Sequence, residues 1–131
     1  VSLLGHSIGT AVAIDVAASL SPQSILLISP FTSMHAMTER VIGPVWAWML
    51  SPFLWDTYRS DLSLRQFVTT HPQTRILIIH GESDNIVPES MGAQLANTST
   101  MITYRTFPGI GHDLPYAASE FVVDALRTYA K

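Results

Sequence analysis

The chain has 131 residues, about the size of one domain, and its composition already excludes several classes of protein. Hydrophobic residues make up 47% and charged residues 13%, against about 25% charged in typical domains, which excludes a disordered tail or a solvated coiled coil. With a net charge of −3, the chain lacks the excess of basic residues expected of a nucleic-acid-binding protein. The absence of cysteine excludes disulfides and a thiol nucleophile. No stretch reaches the roughly 18 apolar residues of a membrane span.

Apolar runs and helical spacing predict strands and helices in alternation. In chain order we predict a strand at Val1–Leu4, a helix at Thr10–Leu20, a strand at Ser24–Ser29, a less regular region at 31–72 with a short helix at Arg59–Val68, a strand at Arg75–His80, a helix at Pro88–Asn97, a strand at Met101–Phe107 and a helix at Pro115–Tyr129. Val41–Trp55 holds all three tryptophans, and we expect no straight helix through both Pro44 and Pro52.

This alternation predicts an α/β fold, mainly a parallel sheet with helices on both faces. The chain opens at Val1 directly in a strand, so we expect that N-terminal strands of the same fold are missing from this sequence. Functional sites in such sheets form at the carboxyl ends of the strands. Three stretches therefore hold the candidate residues: 5–9, 80–88 and 108–113.

The first stretch, Gly5-His6-Ser7-Ile8-Gly9, fits the pattern G-x-S-x-G between a strand and a helix. A sharp strand-to-helix turn would hold the Ser7 hydroxyl outward, and the Ile8 N–H could stabilise a developing oxyanion. A plain glycine-bounded turn is the alternative. A dinucleotide site needs glycine where Ser7 stands, and a phosphate loop needs a lysine that Gly9-Thr10 lacks, so both are rejected.

The other two stretches supply an acid and a base. Asp84 follows a buried strand and could orient a histidine, with Glu82 as the competing carboxylate, although Asp-Asn before proline is common in ordinary turns. His112 lies in a glycine-flanked loop after the last strand. The chain order Ser, acid, His is the order found on α/β-hydrolase scaffolds.

The remaining histidines are weaker candidates. His6 could line the site but has no obvious partner, and His80 is expected to be a hydrogen-bonded structural residue. His35 and His71 are expected to be solvated, and no pair has the HExxH spacing of a zinc hydrolase.

With these residues the chain resembles the α/β-hydrolase superfamily, and most closely its Bem46-like group. GHSIGTAVAIDVA, SPFTS, ILIIHGESDNIVP and FPGIGHD carry the resemblance. It implies that 1–131 is the C-terminal part of one α/β-hydrolase domain, with 31–72 a cap or insert. It also implies Ser7 as nucleophile, Asp84 as acid, His112 as base and the Ile8 N–H as one oxyanion donor. The family's second donor lies on a loop absent from this sequence, so we expect residues 1–131 alone to be a poor enzyme.

The resemblance implies a serine hydrolase that cleaves an acyl ester or thioester through an acyl-enzyme, without metal or organic cofactor. A serine peptidase and a noncatalytic hydrolase-like scaffold remain alternatives. The expected partners are a small-molecule, lipid or acylated substrate and the N-terminal part of the same domain, with membrane-surface contact possible and no nucleic acid. The residues do not fix the compartment, and a cytoplasmic or peripheral membrane location is the expectation.

Seven side chains are candidates for lining a substrate pocket: His6, Phe31, Trp46, Trp48, Met49, Phe53 and Trp55. The aromatic residues after the second strand could line an acyl pocket or rest on a membrane surface. The sequence favours a third interpretation, in which they pack in the core of cap helices.

Overall fold

The computed structural model describes residues 1–54 and 59–129, in which strands and helices alternate. The strands are β1 (Ser2–His6), β2 (Ser24–Ile28), β3 (Arg75–Gly81) and β4 (Ile102–Phe107). The helices are α1 (Ile8–Leu20), α2 (Met34–Ile42), α3 (Pro44–Leu54), α4 (Ser60–Thr70), α5 (Glu89–Ala96), α6 (Leu114–Ala117) and α7 (Ser119–Tyr129). None of the helices in these ranges is long and apolar enough to cross a membrane.

The strands form one sheet in the order β1-β2-β3-β4, and each runs parallel to its neighbour. Ser2 is opposite Ser24, which is opposite Arg75, so the strands begin in step and their carboxyl ends share one edge. Every residue of β2 is buried, as expected for a strand covered on both faces. The predicted α/β fold with a parallel sheet is confirmed.

Alternate side chains of the two central strands point to opposite faces, and each face packs against its own helices. One core cluster joins Ile25, Leu27, Ile76 and Ile78 to Ile14, Leu64, Phe67 and Leu95 from α1, α4 and α5. The other joins Leu26, Ile28, Leu77 and Ile79 to Leu114, Val122 and Ala125 from α6 and α7. Helices therefore cover both faces, which fixes the loops at the strand ends.

The region predicted as a cap, 31–72, contains helices in two different surroundings. α4 packs Leu64 and Phe67 into the sheet core, whereas α2 contacts α3 and has no buried residue. Met34 and Met37 of α2 lie against a small cluster near the end of the sheet. Of the described part of this region, α2 and α3 lie outside the two sheet clusters, and their function as a cap stays a prediction.

The run Val41–Trp55 is not one helix, as expected, because it is broken between α2 and α3, but Pro52 does not break α3. Gly43, with φ of 87°, ends α2, and α3 begins at Pro44, where the missing N–H costs no helical hydrogen bond. Pro52 lies in the last turn, so it removes only one bond near the helix end.

The prediction of one last helix from Pro115 to Tyr129 was wrong. Ala118, with φ of −119° and ψ of 35°, separates α6 from α7. The Ala118 N–H donates to the Leu114 carbonyl, and the Ala118 carbonyl accepts from the Val122 N–H. Because this four-residue hydrogen-bond spacing continues across the break, the apolar periodicity of the sequence did not reveal it.

Candidate active site

Ser7 stands at the turn between β1 and α1, in a backbone conformation that few residues other than glycine adopt. Its φ is 53° and its ψ is −122°. The Ser7 N–H donates to the Ile28 carbonyl at 3.0 Å, and the Ser7 carbonyl accepts from the Thr10 hydroxyl at 2.6 Å. Hydrogen bonds to the backbone groups of Ser7 thus hold it in this strained conformation, while its side chain makes no cap hydrogen bond to α1.

Of the two glycines that flank this turn, the structure requires Gly5. A Cβ there would lie 2.5 Å from the Gly9 carbonyl oxygen, because the strand and helix backbones cross at that point. At Gly9, a Cβ would meet nothing within 4 Å in the described residues, so the close approach requires glycine at position 5 and not at position 9. Ile8 is the first residue of α1, where a backbone N–H has no acceptor within the helix.

Asp84 lies in the turn after β3, and its side chain is fully buried. Its Oδ1 accepts hydrogen bonds from the Ile86 N–H at 3.0 Å and the Val87 N–H at 2.8 Å. Its Oδ2 accepts from Nδ1 of His112 at 2.8 Å. Burial alone would raise the pKa of Asp84, but the hydrogen bonds from His112 and Val87 and the charge of His112 hold it below its ordinary value.

The turn that carries Asp84 and the loop that carries His112 are tied together by their backbones. The Glu82 N–H donates to the Phe107 carbonyl at 3.1 Å, and the Ser83 N–H donates to the Ile110 carbonyl at 3.0 Å. A Cβ at Gly81 would lie 2.3 Å from the Ile110 oxygen, so glycine lets the two backbones approach. Asp84 and His112 are therefore held as one unit at the carboxyl ends of β3 and β4.

The competing carboxylate lies elsewhere. Glu82 is exposed, and its Oε1 accepts from the Thr106 hydroxyl at 2.7 Å. Of the two carboxylates weighed in the sequence, the structure brings Asp84 to His112.

His80 is fully buried behind Asp84, and its interpretation as a hydrogen-bonded structural residue is confirmed. Its Nε2 donates to the Val87 carbonyl at 2.9 Å and lies 3.6 Å from Asp84 Oδ2. Burial lowers the pKa of His80, although the Val87 carbonyl and Asp84 act in the other direction. The other two histidines lie away from this group: His35 is paired with Glu39, and His71 is stacked on Phe67.

His6 has a partner that sequence reasoning missed. Its Nε2 lies 3.1 Å from the His112 carbonyl oxygen, and the two ring centroids are 4.9 Å apart. Because His6 precedes Ser7 in the chain, this contact brings the Ser7 turn beside the loop of His112. The only signal in the sequence was that both residues lie near the carboxyl ends of strands that share an edge.

The predicted pocket residues fare differently. Phe31 is 2% exposed and packs with Ala11 and Val87, and its assignment to a substrate pocket stays a prediction. Trp46, Trp48 and Met49 are 59%, 75% and 54% exposed, which contradicts the interpretation that they pack in a core. The cause is that α3 packs mainly against α2. The side chain of Phe53 and all of Trp55 lie outside the described residues.

A parallel sheet covered by helices on both faces, with a strained serine turn, a buried aspartate and a histidine at one edge, defines the class: this is an α/β-hydrolase fold. The chain belongs to the serine hydrolase (FSH1) family, whose model matches residues 1–122. The resemblance to the superfamily is thereby confirmed, while membership of the Bem46-like group stays a prediction.

Two curated relatives are similar over nearly the whole chain, and both are described as uncharacterized. Protein Rv2307c of Mycobacterium tuberculosis is 32% identical over 98% of this chain and 44% of its own length. Protein R595 of Acanthamoeba polyphaga mimivirus is 32% identical over 93% of this chain and 45% of its own length. The chain thus spans less than half the length of these relatives.

Solved structures confirm the fold. The esterase domain of a Rhodothermus marinus protein superposes with a TM-score of 0.72 at 17% identity, covering 98% of this chain and 58% of that one. The esterase RhEst1 from Rhodococcus sp. ECU1013 gives a TM-score of 0.64 at 17% identity, covering 99% and 65%. At such low identity this similarity establishes architecture and not substrate.

Proposed function

We propose that the complete protein is a serine hydrolase that cleaves an acyl ester or thioester through a covalent acyl-enzyme on Ser7. The hydrogen bond between Asp84 and His112, in a loop that touches the residue preceding Ser7, carries the proposal. Family membership supports the same general chemistry.

In this mechanism Nδ1–H of His112 donates to Asp84, so Nε2 is the nitrogen left to accept the Ser7 proton. Ser7 Oγ attacks the substrate carbonyl carbon as its proton passes to His112, and the Ile8 N–H stabilises the oxyanion. The intermediate collapses, His112 protonates the leaving alkoxide or thiolate, and an ester to Ser7 remains. Water then attacks this ester as His112 takes its proton, and His112 gives that proton to Ser7 Oγ as the acid leaves.

The buried carboxylate supports this sequence electrostatically. His112 becomes a cation as it accepts the proton, and Asp84 is ionised beside it because its pKa is lowered. Charge therefore forms next to an opposite charge that is already in place, so little reorganisation accompanies the step.

The substrate class rests on α3. Trp46 and Met49 offer exposed apolar surface suited to an acyl chain, and α2 links α3 to the site through Met34 and Met37 beside Val87. Acyl esters and thioesters are therefore preferred to peptide bonds as substrates. The same surface fits a scaffold that binds an apolar partner, which is the alternative function.

Labelling with a fluorophosphonate probe separates these functions, because the probe bonds to an activated serine and loses fluoride. We expect the complete protein to be labelled and the Ser7→Ala variant to lose labelling entirely. Ser19→Ala, which alters an exposed serine of α1, is the matched control and should label at the wild-type rate. Folded wild-type protein that does not react would support the scaffold instead.

A panel of p-nitrophenyl esters, acyl-thioesters and peptide anilides then tests which type of bond the protein cleaves. Turnover of the esters or thioesters with no cleavage of the anilides is the expected result. Preferential cleavage of the anilides would make the protein a peptidase.

A further inference from the structure

We propose that His6 is a positioning residue, which holds the loop of the base His112 at the distance from Ser7 that proton transfer requires. This inference rests on the proposed function, and it assigns a task to a side chain that lies outside the triad. The hydrogen bond from His6 Nε2 to the His112 carbonyl, at 3.1 Å, is its main support.

The donor in this hydrogen bond stands on a rigid support. His6 is the last residue of β1 and is paired with Ile28 of β2. The next residue, Ser7, is fixed by hydrogen bonds to Ile28 and Thr10. The imidazole therefore shares its support with the nucleophile, and whatever it holds is held relative to Ser7.

The acceptor lies in a loop that needs such support. Residues 108–113 form no strand or helix, and Gly109 adopts a φ of 72°. Asp84 restrains the His112 ring through Nδ1, but that bond fixes the base relative to the acid and not relative to the serine. The His6 bond restrains the His112 backbone from the side of β1, so the two bonds together locate the ring.

A neutral imidazole suits this position. The His112 carbonyl can only accept, so Nε2 of His6 must carry the hydrogen. Burial lowers the pKa of His6 below its ordinary value, although the hydrogen bond to the His112 carbonyl and the charge of Asp84 act in the other direction, so His6 stays neutral near neutral pH. With the rings 4.9 Å apart, a cationic His6 would oppose the imidazolium that forms on His112 during catalysis.

The test compares His6→Leu, which removes the donor, with His6→Gln, whose amide can still donate. In the complete protein we expect His6→Leu to lower kcat for a p-nitrophenyl ester about tenfold to 100-fold with little change in KM, since small misplacements carry costs of that order. His6→Gln should recover most of the loss. His71→Leu, which removes a part-buried imidazole hydrogen-bonded to Ser21 at the opposite edge, should leave kcat unchanged.

Amide hydrogen exchange provides a second reading that does not depend on activity. His6→Leu should speed exchange of the Ser83 N–H, which donates to Ile110 in the same loop, and His6→Gln should not. Unchanged kcat and unchanged exchange in His6→Leu would overturn the inference. Failure of wild-type protein to react with the fluorophosphonate would overturn the proposed function instead, and exchange would still decide whether His6 holds the loop.

Discussion

Asp84 uses its two carboxylate oxygens differently, and this division predicts the effect of replacing it. In Asp84→Asn, the amide oxygen can still accept from the Ile86 and Val87 N–H groups, so the turn should fold. The amide nitrogen cannot accept from His112, which favours the tautomer whose Nε2 is already protonated. We expect kcat to fall by about 10³- to 10⁴-fold with little change in thermal stability.

The matched control for this prediction is Glu82→Gln. Glutamine keeps an oxygen that can accept from the Thr106 hydroxyl, and Glu82 is exposed and away from His112. Ester hydrolysis should proceed at the wild-type rate in this variant. If Glu82→Gln loses activity and Asp84→Asn does not, the acid has been assigned to the wrong residue.

Sequence reasoning at the residue scale succeeded where the chain order alone determines proximity. Parallel strands place their carboxyl ends at one edge, so Ser7, Asp84 and His112 could be expected there together. The contact of His6 with His112 could not be predicted, because it joins residues 106 apart and depends on the path of an irregular loop. The burial of Phe31 was missed because the small cluster around it forms from several separate elements.

At the scale of elements, the turn between β3 and α5 is built around a buried imidazole. Nε2 of His80 donates to Val87, whereas Nδ1 has no hydrogen-bond partner among the described residues and lies where a Cβ on Gly92 would clash, at 2.4 Å. A second proton on this ring would therefore be buried without an acceptor. Burial accordingly holds the pKa of His80 below 6.5, its value in an unfolded chain.

This arrangement makes folding sensitive to acid. Below about pH 6.5, His80 is protonated in the unfolded chain but stays neutral in the folded protein. The free energy of unfolding should therefore fall as the pH drops. The slope for one proton is at most about 1.4 kcal/mol per pH unit and levels off below the folded pKa. The pKa of His6 is also lowered, so protonation of His6 in the unfolded chain should further reduce the free energy of unfolding in acid.

Urea unfolding at pH 7.5, 6.5 and 5.5 measures this dependence. The change in stability with pH that comes from Asp84 occurs only near pH 4 and below, so it does not interfere. His80→Gln should flatten the slope, whereas His71→Gln should keep it. Stability that is constant or rises on acidification would contradict the interpretation of His80.

Elements could be predicted where a single period dominates. β2 and β3 are continuous apolar runs, and α1 ends at Leu20, as predicted, with Ser21 as its C-cap just before proline. α2 was missed because its residues are mixed in polarity and none is buried. Its clearest local signal was Ser33, whose hydroxyl accepts from the Ala36 N–H at the helix start.

At the scale of the whole molecule, the edge strand β1 and the helix α1 beside it both expose apolar side chains. β1 lies at the edge of the described sheet, and Leu4 on it is 45% exposed. Val12, Val16 and Leu20 form a stripe along α1 and are 46%, 40% and 50% exposed. The four-residue spacing places them on one helix face, which no other described element covers.

An uncovered edge strand beside an apolar stripe favours association, so residues 1–131 expressed alone should self-associate. The double variant Val12→Lys, Val16→Lys should reduce the apparent mass in light scattering. Val123→Lys, at a valine of α7 that is also 45% exposed but lies on the other face, should not reduce it. In the complete protein we expect further residues to cover this stripe, so there the double variant should lower Tm. Monodisperse, monomeric residues 1–131 would contradict the prediction, because the stripe would then need no cover.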